Sequence, residues 1–130
     1  RKRPQMDTEN LLECYVNLKR EMETYMKYLD AWDKKVAIWG ASHQGFTLAA
    51  TTKLGEKARY IIDSAPFKQG KFAPASHLPI VGPDHFHEHP VDAIIITAPG
   101  YTDEIAASIR QMFGTSVEIR AMRSNHLEMV

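Results

Sequence analysis

The stretch VAIWGASHQG, residues 36–45, constrains the fold more than any other part of the chain. Its first four residues form a short apolar run typical of a buried parallel strand, and Gly40 ends that run abruptly. A helix is predicted to begin near His43. Gly40, Ala41 and Gly45 are small enough for a tight turn at the carboxyl end of the strand, where free N–H groups can meet an anion. The stretch therefore indicates a phosphate-binding turn, although G-A-S-H-Q-G matches the dinucleotide-binding fingerprint only in part.

Composition excludes several classes of protein. The chain has 130 residues, of which 44% are hydrophobic, so one domain with a single core is expected. Lys plus Arg equals Asp plus Glu at 16 each, so we expect neither a nucleic-acid partner nor a membrane-surface partner. The single cysteine, Cys14, excludes an internal disulfide and is typical of a reducing compartment. No apolar run approaches the roughly 20 residues that span a bilayer, and no signal peptide is recognisable, so a cytoplasmic protein is expected.

A long helix is predicted at the N-terminus, within residues 1–34, and Asp7 or Thr8 can cap it. Its apolar positions recur in steps of four and three: Leu11, Tyr15, Leu18, Met22, Tyr25, Leu29 and Trp32. A stripe over about six turns is longer than one small domain usually needs. The helix is therefore expected either to cover one face of a sheet, or also to reach a neighbouring domain or a second copy of the chain in a homodimer.

The rest of the chain alternates between predicted strands and helices. Strands are predicted at residues 36–39, 60–63, 79–81, 91–97 and 117–122, and helices at 43–53, 83–88 and 102–113. Gly55 is expected to be a left-handed C-cap, and residues 124–130 a frayed tail after a sheet domain at 35–123. Because crossovers are right-handed, we predict an α/β fold with a Rossmann-like open parallel sheet of about five strands, order 3-2-1-4-5, and helices on both faces.

The predicted strand order fixes where a ligand is expected. Strands one and four are neighbours whose connections leave on opposite faces, so a crevice is expected between residues 40–45 and residues 98–101. Asp63 follows the glycine of the first turn by 23 residues, where an acidic residue binds a ribose hydroxyl in dinucleotide folds; a turn-forming aspartate is the alternative. The long loop after the second strand carries Lys68, Lys71 and His77. Contact of this loop with phosphate or substrate is expected, with simple solvation of each residue as the alternative.

Three histidines, His85, His87 and His89, lie close together in the sequence. Residues two apart on a helix point to opposite sides, and no acidic or cysteine partner follows at a spacing such as H-E-x-x-H. The preferred interpretation is solvated histidines, and no metal is predicted.

Three stretches carry a family resemblance: VAIWGASHQGFTL, YIIDSAPFKQGKFAPASHLPIVGP and DAIIITAPGYTDEI, within residues 36–105. They resemble the C-terminal domain of SAM-dependent sugar C-methyltransferases, multidomain enzymes that methylate nucleotide-activated deoxysugars. The resemblance implies a Rossmann-like domain that lacks the SAM site and helps to hold the nucleotide-sugar substrate against an upstream methyltransferase domain. It implies that SAM binds in the upstream domain, that this chain holds no cofactor, and that it is inactive alone. A chain that starts at Arg1 is then expected to be a piece of a longer polypeptide, joined to the upstream domain by its long helix.

The chain departs from this resemblance at two places. Many relatives have a lysine where this chain has Gln44, and a Trp-Asn pair where it has Pro99 and Gly100. Gln44 can hydrogen-bond a base or sugar but cannot offset phosphate charge, so His43, Lys68 or the loop amides are expected to do so. The candidate site residues are Gly40, Ala41, Ser42, His43, Gln44, Gly45, Asp63, Lys68, His77, Pro99, Gly100, Tyr101 and Glu104.

Two other functions stay open on the sequence. A small NAD(P)- or nucleotide-binding Rossmann module would use the same turn, but an oxidoreductase normally needs a substrate domain for which 130 residues leave little room. A helix-mediated interaction domain would need neither the glycine turn nor an aspartate after the second strand. The ligand that binds the chain distinguishes the three.

Overall fold

The structure is a computed structural model that describes residues 8–97, 100–122 and 127–129, without the side chains of residues 8–15, 43, 44 and 127–129. Helices and strands alternate along the chain as the sequence predicts. In chain order they are α1 (Thr8–Ala31), β1 (Val36–Trp39), α2 (His43–Thr51), α3 (Leu54–Lys57), β2 (Ala58–Ile62), a 3-10 turn (Pro66–Lys68), β3 (Ile80–Val81), α4 (His85–Glu88), β4 (Ala93–Ile96), α5 (Thr102–Phe113), β5 (Glu118–Met122) and β6 (Leu127–Met129).

One sheet of six strands, in the order β3-β2-β1-β4-β5-β6, forms the centre of the fold. The first five strands of that order are parallel, which confirms the Rossmann-like α/β fold and the order 3-2-1-4-5. β6 is antiparallel to β5, with Arg120 opposite Met129. The prediction of a frayed tail at 124–130 is therefore wrong for the three residues of β6. Edge pairing with β5 forms this strand, and such tertiary pairing leaves little signal in three residues of sequence.

Both faces of the sheet are covered, because the central strands alternate between two apolar clusters. Val36 and Ile38 of β1 pack in the cluster shared with α1, α2 and α3, whereas Ala37 and Trp39 pack in the cluster shared with α4 and α5. All four residues of β1 and all four of β4 are buried. This two-sided burial explains why each of these strands is a continuous apolar run rather than an alternating one.

The predicted N-terminal helix is present as α1, and its second half packs on the sheet. Met22, Tyr25 and Leu29 of the predicted stripe are buried, together with Met26, which the stripe did not include. The prediction that Trp32 belongs to the stripe is wrong, because α1 ends at Ala31 and Trp32 is 69% exposed. The side chains of Leu11 and Tyr15 lie outside the described part. Contact of this helix with an upstream domain or a second copy stays a prediction.

The first crossover differs from the predicted one at its end. α2 ends at Thr51 instead of continuing to Lys53, and Gly55 lies inside α3 rather than at a left-handed C-cap. A Cβ on Gly55 would lie 2.3 Å from the carbonyl oxygen of Ala49. The glycine therefore permits a close approach between α3 and α2, a tertiary requirement that resembles a C-cap signal in the sequence.

Substitutions in α1 should separate its buried and exposed positions. Met22→Ala is expected to lower the free energy of unfolding by about 2 to 5 kcal/mol, because Met22 is 0% exposed and its loss leaves a cavity. Val16→Ala, at a 49% exposed position of the same helix, is expected to change it by no more than about 0.5 kcal/mol. Urea unfolding followed by circular dichroism measures both. Equal effects of the two substitutions would contradict the packing of α1 on the sheet.

Candidate functional site

The turn between β1 and α2 begins with a backbone conformation that only glycine adopts readily. Gly40 has a φ of 127°, and its N–H donates to the carbonyl oxygen of Ile62 in β2 at 2.8 Å. Ser42 is extended, and α2 starts at His43, as predicted. α2 therefore begins at the carboxyl end of β1, where its first N–H groups and its dipole favour an anion.

Gly45 brings α2 close to the ends of β1 and β4. A Cβ on Gly45 would lie 2.4 Å from the carbonyl oxygen of Gly40 and 2.8 Å from the hydroxyl of Thr97. That hydroxyl is buried and lies 3.3 Å from the carbonyl oxygens of both Trp39 and Gly40. Gly45 and Thr97 therefore fix the helix against the turn, and a side chain at Gly45 would force them apart.

Asp63 and Lys68 hold the peptide groups on either side of Ala41. The Asp63 carboxylate accepts the N–H of Ala41 at 2.9 Å, and the Lys68 ammonium donates to the carbonyl oxygen of Ala41, also at 2.9 Å. The two side chains form an ion pair at 3.7 Å. The second carboxylate oxygen of Asp63 accepts the N–H of Ala65 at 2.8 Å, as a turn-forming aspartate does. In this structure both side chains act on the turn itself, and their contacts with ribose and phosphate stay hypotheses.

A cleft of about 430 Å³ opens beside this turn, at the carboxyl ends of β1 and β2 and against one side of α5. It brings together four of the sequence candidates: Gly40, Asp63, Tyr101 and Glu104. The other lining residues are Trp39, Ser64, Pro83, Ile105, Ser108 and Met112. Apolar walls with a few carboxylates and hydroxyls are typical of a small-molecule site.

The comparisons with known proteins agree with this fold and with the sequence motifs. A family model described as the C-methyltransferase C-terminal domain matches residues 9–119. The chain belongs to this family. The domain is 37% identical over 73 residues to the C-methyltransferase NovU of Streptomyces niveus, a match that covers 55% of this chain and 17% of NovU. The chain therefore spans a small part of the length of the curated relative that it matches.

A solved structure resembles this C-methyltransferase C-terminal domain in fold. It is UDP-D-quinovosamine 4-dehydrogenase from Vibrio fischeri, with a TM-score of 0.57 and 19% sequence identity over 75% of this chain and 93% of that chain. At this identity the likeness shows the Rossmann-type fold alone.

Other candidate residues of the C-methyltransferase C-terminal domain lie around the cleft or away from it. Gly100 is exposed and adjoins the cleft residue Tyr101. His77 follows Ser76, whose Cβ lies 3.3 Å from the position of a Cβ on Gly55. Gly55 is in α3, which follows the C-terminal end of α2, whereas the β1–α2 turn is at its N-terminal end. The structure thus does not bring His77 to the turn that Lys68 contacts. Pro99, like the side chains of His43 and Gln44, lies outside the described residues.

Of the residues that α5 contributes to the cleft, the sequence interpretation includes Glu104 but not Ile105, Ser108 and Met112. Glu104, Ile105, Ser108 and Met112 recur at steps of one, three and four, so they lie along one side of the helix next to Tyr101. This spacing is visible in the sequence. Apolar periodicity does not reveal it, because these four positions include both polar and apolar residues.

The described residues meet neither the requirements of a metal site nor those of a membrane-spanning helix. Within residues 8–97, 100–122 and 127–129, no group of three or more His, Cys, Asp or Glu residues could hold a metal ion. No helix in the same ranges has the length and the apolar composition to cross a bilayer.

Proposed function

We propose that this domain binds the nucleotide-sugar substrate of a SAM-dependent C-methyltransferase in the cleft beside the β1–α2 turn. The observation that carries this proposal is the position of the cleft, which is lined by Gly40 and Asp63 on one side and by α5 on the other. In open α/β sheets ligands bind outside the carboxyl ends of the strands, where neighbouring connections leave on opposite faces. β1 and β4 are such neighbours here.

The charges around the cleft favour one orientation of the ligand. Asp63 and Glu104 give the cleft two carboxylates, of which Asp63 forms an ion pair with Lys68. Glu104 repels phosphate, and both carboxylates can accept hydrogen bonds from hydroxyl groups. Ser64 and Ser108 can donate to or accept from the same groups. We therefore place the ribose or sugar hydroxyls in the cleft, and the diphosphate outside it, at the N-terminus of α2, which carries roughly half a unit of positive charge.

The methyl transfer itself is proposed to require the upstream domain. The G-A-S-H-Q-G turn is an incomplete nucleotide fingerprint, and we assign SAM to the methyltransferase domain that the family resemblance implies. The described residues supply binding groups for a substrate in this scheme, and the chain alone is expected to be inactive. α1 is proposed to connect the two domains.

Tryptophan fluorescence tests the proposal. Of the two tryptophans, Trp39 lines the cleft and Trp32 is exposed at the end of α1, so Trp32→Phe leaves a single reporter in the cleft. Titration with dTDP and UDP is expected to change the Trp39 emission in a saturable way. Ser108→Leu, which fills the cleft from an exposed position of α5, is expected to remove this change.

Ala107→Leu is the matched control, because it adds the same side chain at the next exposed position of α5, which does not line the cleft. It should bind the nucleotides as the parent chain does. Equal binding by the Ser108→Leu and Ala107→Leu variants would show that the cleft is not the site. Binding of NAD in preference to dTDP and UDP would favour the NAD-dependent module instead.

A further inference from the structure

A second cavity, of about 360 Å³, lies at the opposite, amino-terminal edge of the sheet. Four basic or imidazole side chains line it: Lys35 before β1, Arg59 near the start of β2, His85 at the start of α4 and His89 directly after α4. Glu88 is the acidic residue among the lining side chains. The cavity therefore carries an excess of positive charge, which the nucleotide-sugar proposal does not use.

A bulge in β2 shapes this cavity. Between Val36 and Ile38, the pairing advances by two residues along β1 but by three along β2. Neighbouring residues of a regular strand point to opposite faces, whereas a bulge re-aims a side chain. Arg59 and Tyr60, which are consecutive, both line the cavity. The irregular backbone thus adds an arginine to a cavity that already holds the two imidazoles.

The two imidazoles are held side by side. The ring centroids of His85 and His89 are 4.8 Å apart, and the rings of His85 and Tyr60 form a T-shaped pair with centroids also 4.8 Å apart. The Tyr60 hydroxyl donates to the carbonyl oxygen of His89 at 2.6 Å. Burial raises the pKa of Tyr60 to about 12, so the hydroxyl keeps its proton at neutral pH. Tyr60 therefore positions both histidines at the cavity.

We propose that this cavity binds a phosphate-type anion, either inorganic phosphate or the phosphate group of a phosphate monoester. A tetrahedral dianion has acceptor oxygens on all sides, and the guanidinium of Arg59, the ammonium of Lys35 and the two imidazoles are donors to such oxygens. A divalent metal ion, the other ligand that paired imidazoles suggest, would be repelled by Lys35 and Arg59. The positive charges of Lys35 and Arg59 therefore favour an anion over a metal ion as the ligand of this cavity.

Sulfate is the first probe, because it keeps the same charge between pH 6 and 8 while phosphate does not. Proton NMR of the histidine rings, during titration of the chain with sodium sulfate at constant ionic strength, is expected to show saturable shifts of His85 and His89. Protonation of either imidazole would give it a second N–H donor and is expected to strengthen sulfate binding. The other charged or titratable groups lining the cavity are Lys35, Arg59, Glu88 and Tyr60.

Arg59→Gln is expected to weaken sulfate binding about tenfold, as loss of one charge-assisted hydrogen bond does. His87→Gln is the control, since His87 lies on the other side of α4 with its ring centroid 5.7 Å from that of Phe113. Circular dichroism checks that each variant is folded, and Lys35→Gln replaces Arg59→Gln if that variant is not. Titrations with inorganic phosphate and with uridine monophosphate then distinguish a free anion from a phosphate monoester. The preferred ligand is the one that saturates the His85 and His89 signals at the lower concentration.

Three results would overturn the proposal. They are shifts that grow linearly with sulfate, an affinity that Arg59→Gln and Lys35→Gln both leave unchanged, and saturation of the His85 and His89 signals by Zn²⁺ but not by sulfate. Each can be read independently of nucleotide binding at the cleft, because the two cavities share no lining residue.

Discussion

Gly45→Val is expected to abolish nucleotide binding, and Gly45→Ala to lower the free energy of unfolding by about 1 to 3 kcal/mol. The Cβ that both substitutions add would lie 2.4 Å from the carbonyl oxygen of Gly40, a backbone atom that cannot turn aside. The N-terminus of α2 would have to move away from the ends of β1 and β4, and the N–H groups proposed to bind the diphosphate would move with it.

Gly82→Ala is the matched control for Gly45→Ala. The added Cβ on Gly82 would lie 3.0 Å from the side chain of Gln69, whose amide nitrogen donates to the carbonyl oxygen of Asp63 at 2.9 Å. A shift of this side chain is expected to cost no more than that hydrogen bond, about 0.5 to 1.5 kcal/mol. Urea unfolding gives the stabilities and the Trp39 titration gives the affinities. A Gly45→Val variant that is folded and binds nucleotides normally would contradict both the packing of α2 and the proposed position of the diphosphate.

Lys68→Met is expected to weaken binding of nucleoside diphosphates by about 1 to 3 kcal/mol. Comparing the loss of affinity for uridine with the loss for UDP shows how Lys68 contributes to binding. If Lys68 acts by holding the carbonyl oxygen of Ala41, as the 2.9 Å hydrogen bond indicates, the variant should lose affinity for uridine and for UDP by similar factors. If Lys68 contacts phosphate directly, the loss should appear with UDP alone.

Asp63→Ala extends this experiment from the carbonyl oxygen of Ala41, which Lys68 contacts, to the N–H of Ala41, which Asp63 contacts. It removes the acceptor of the N–H groups of Ala41 and Ala65 and is expected to weaken binding at least as much as Lys68→Met. The double variant should lose less than the sum of the single losses, since both residues hold the same turn. Lys71→Met, at an exposed lysine of the same loop, is the control and should bind normally. Fully additive losses would contradict a joint action on the turn.

The strand order and the location of the crevice could be predicted because each depends on strong local signals. β1 and β4 are continuous apolar runs, the turn after β1 contains the required glycines, and right-handed crossovers then leave one sensible order. Topology alone places the first turn and the start of α5 on the same edge of the sheet. Gly40, Asp63, Tyr101 and Glu104 meet there as a result.

The features that escaped prediction depend on contacts between distant residues. β6 exists because β5 offers an edge, and Gly55 is a glycine because α3 approaches Ala49. The bulge that lets the consecutive residues Arg59 and Tyr60 line the same cavity is seen only in the pairing of β1 with β2. The roles of Asp63 and Lys68 are similar: the sequence places both near the turn, but their bonds to the Ala41 peptide groups require the folded loop.

Chemical-shift mapping of the backbone amides with dTDP, UDP and NAD tests the central proposal most directly. Nucleotide-sugar binding predicts that dTDP or UDP shifts the amides of residues 40–45, 63–64 and 101–108, at the carboxyl edge of the strands. Shifts confined to the amino-terminal edge, around Arg59 and His85, would contradict it. A chain that responds to none of the three nucleotides, yet self-associates through α1, would make the helix-mediated interaction domain the better account.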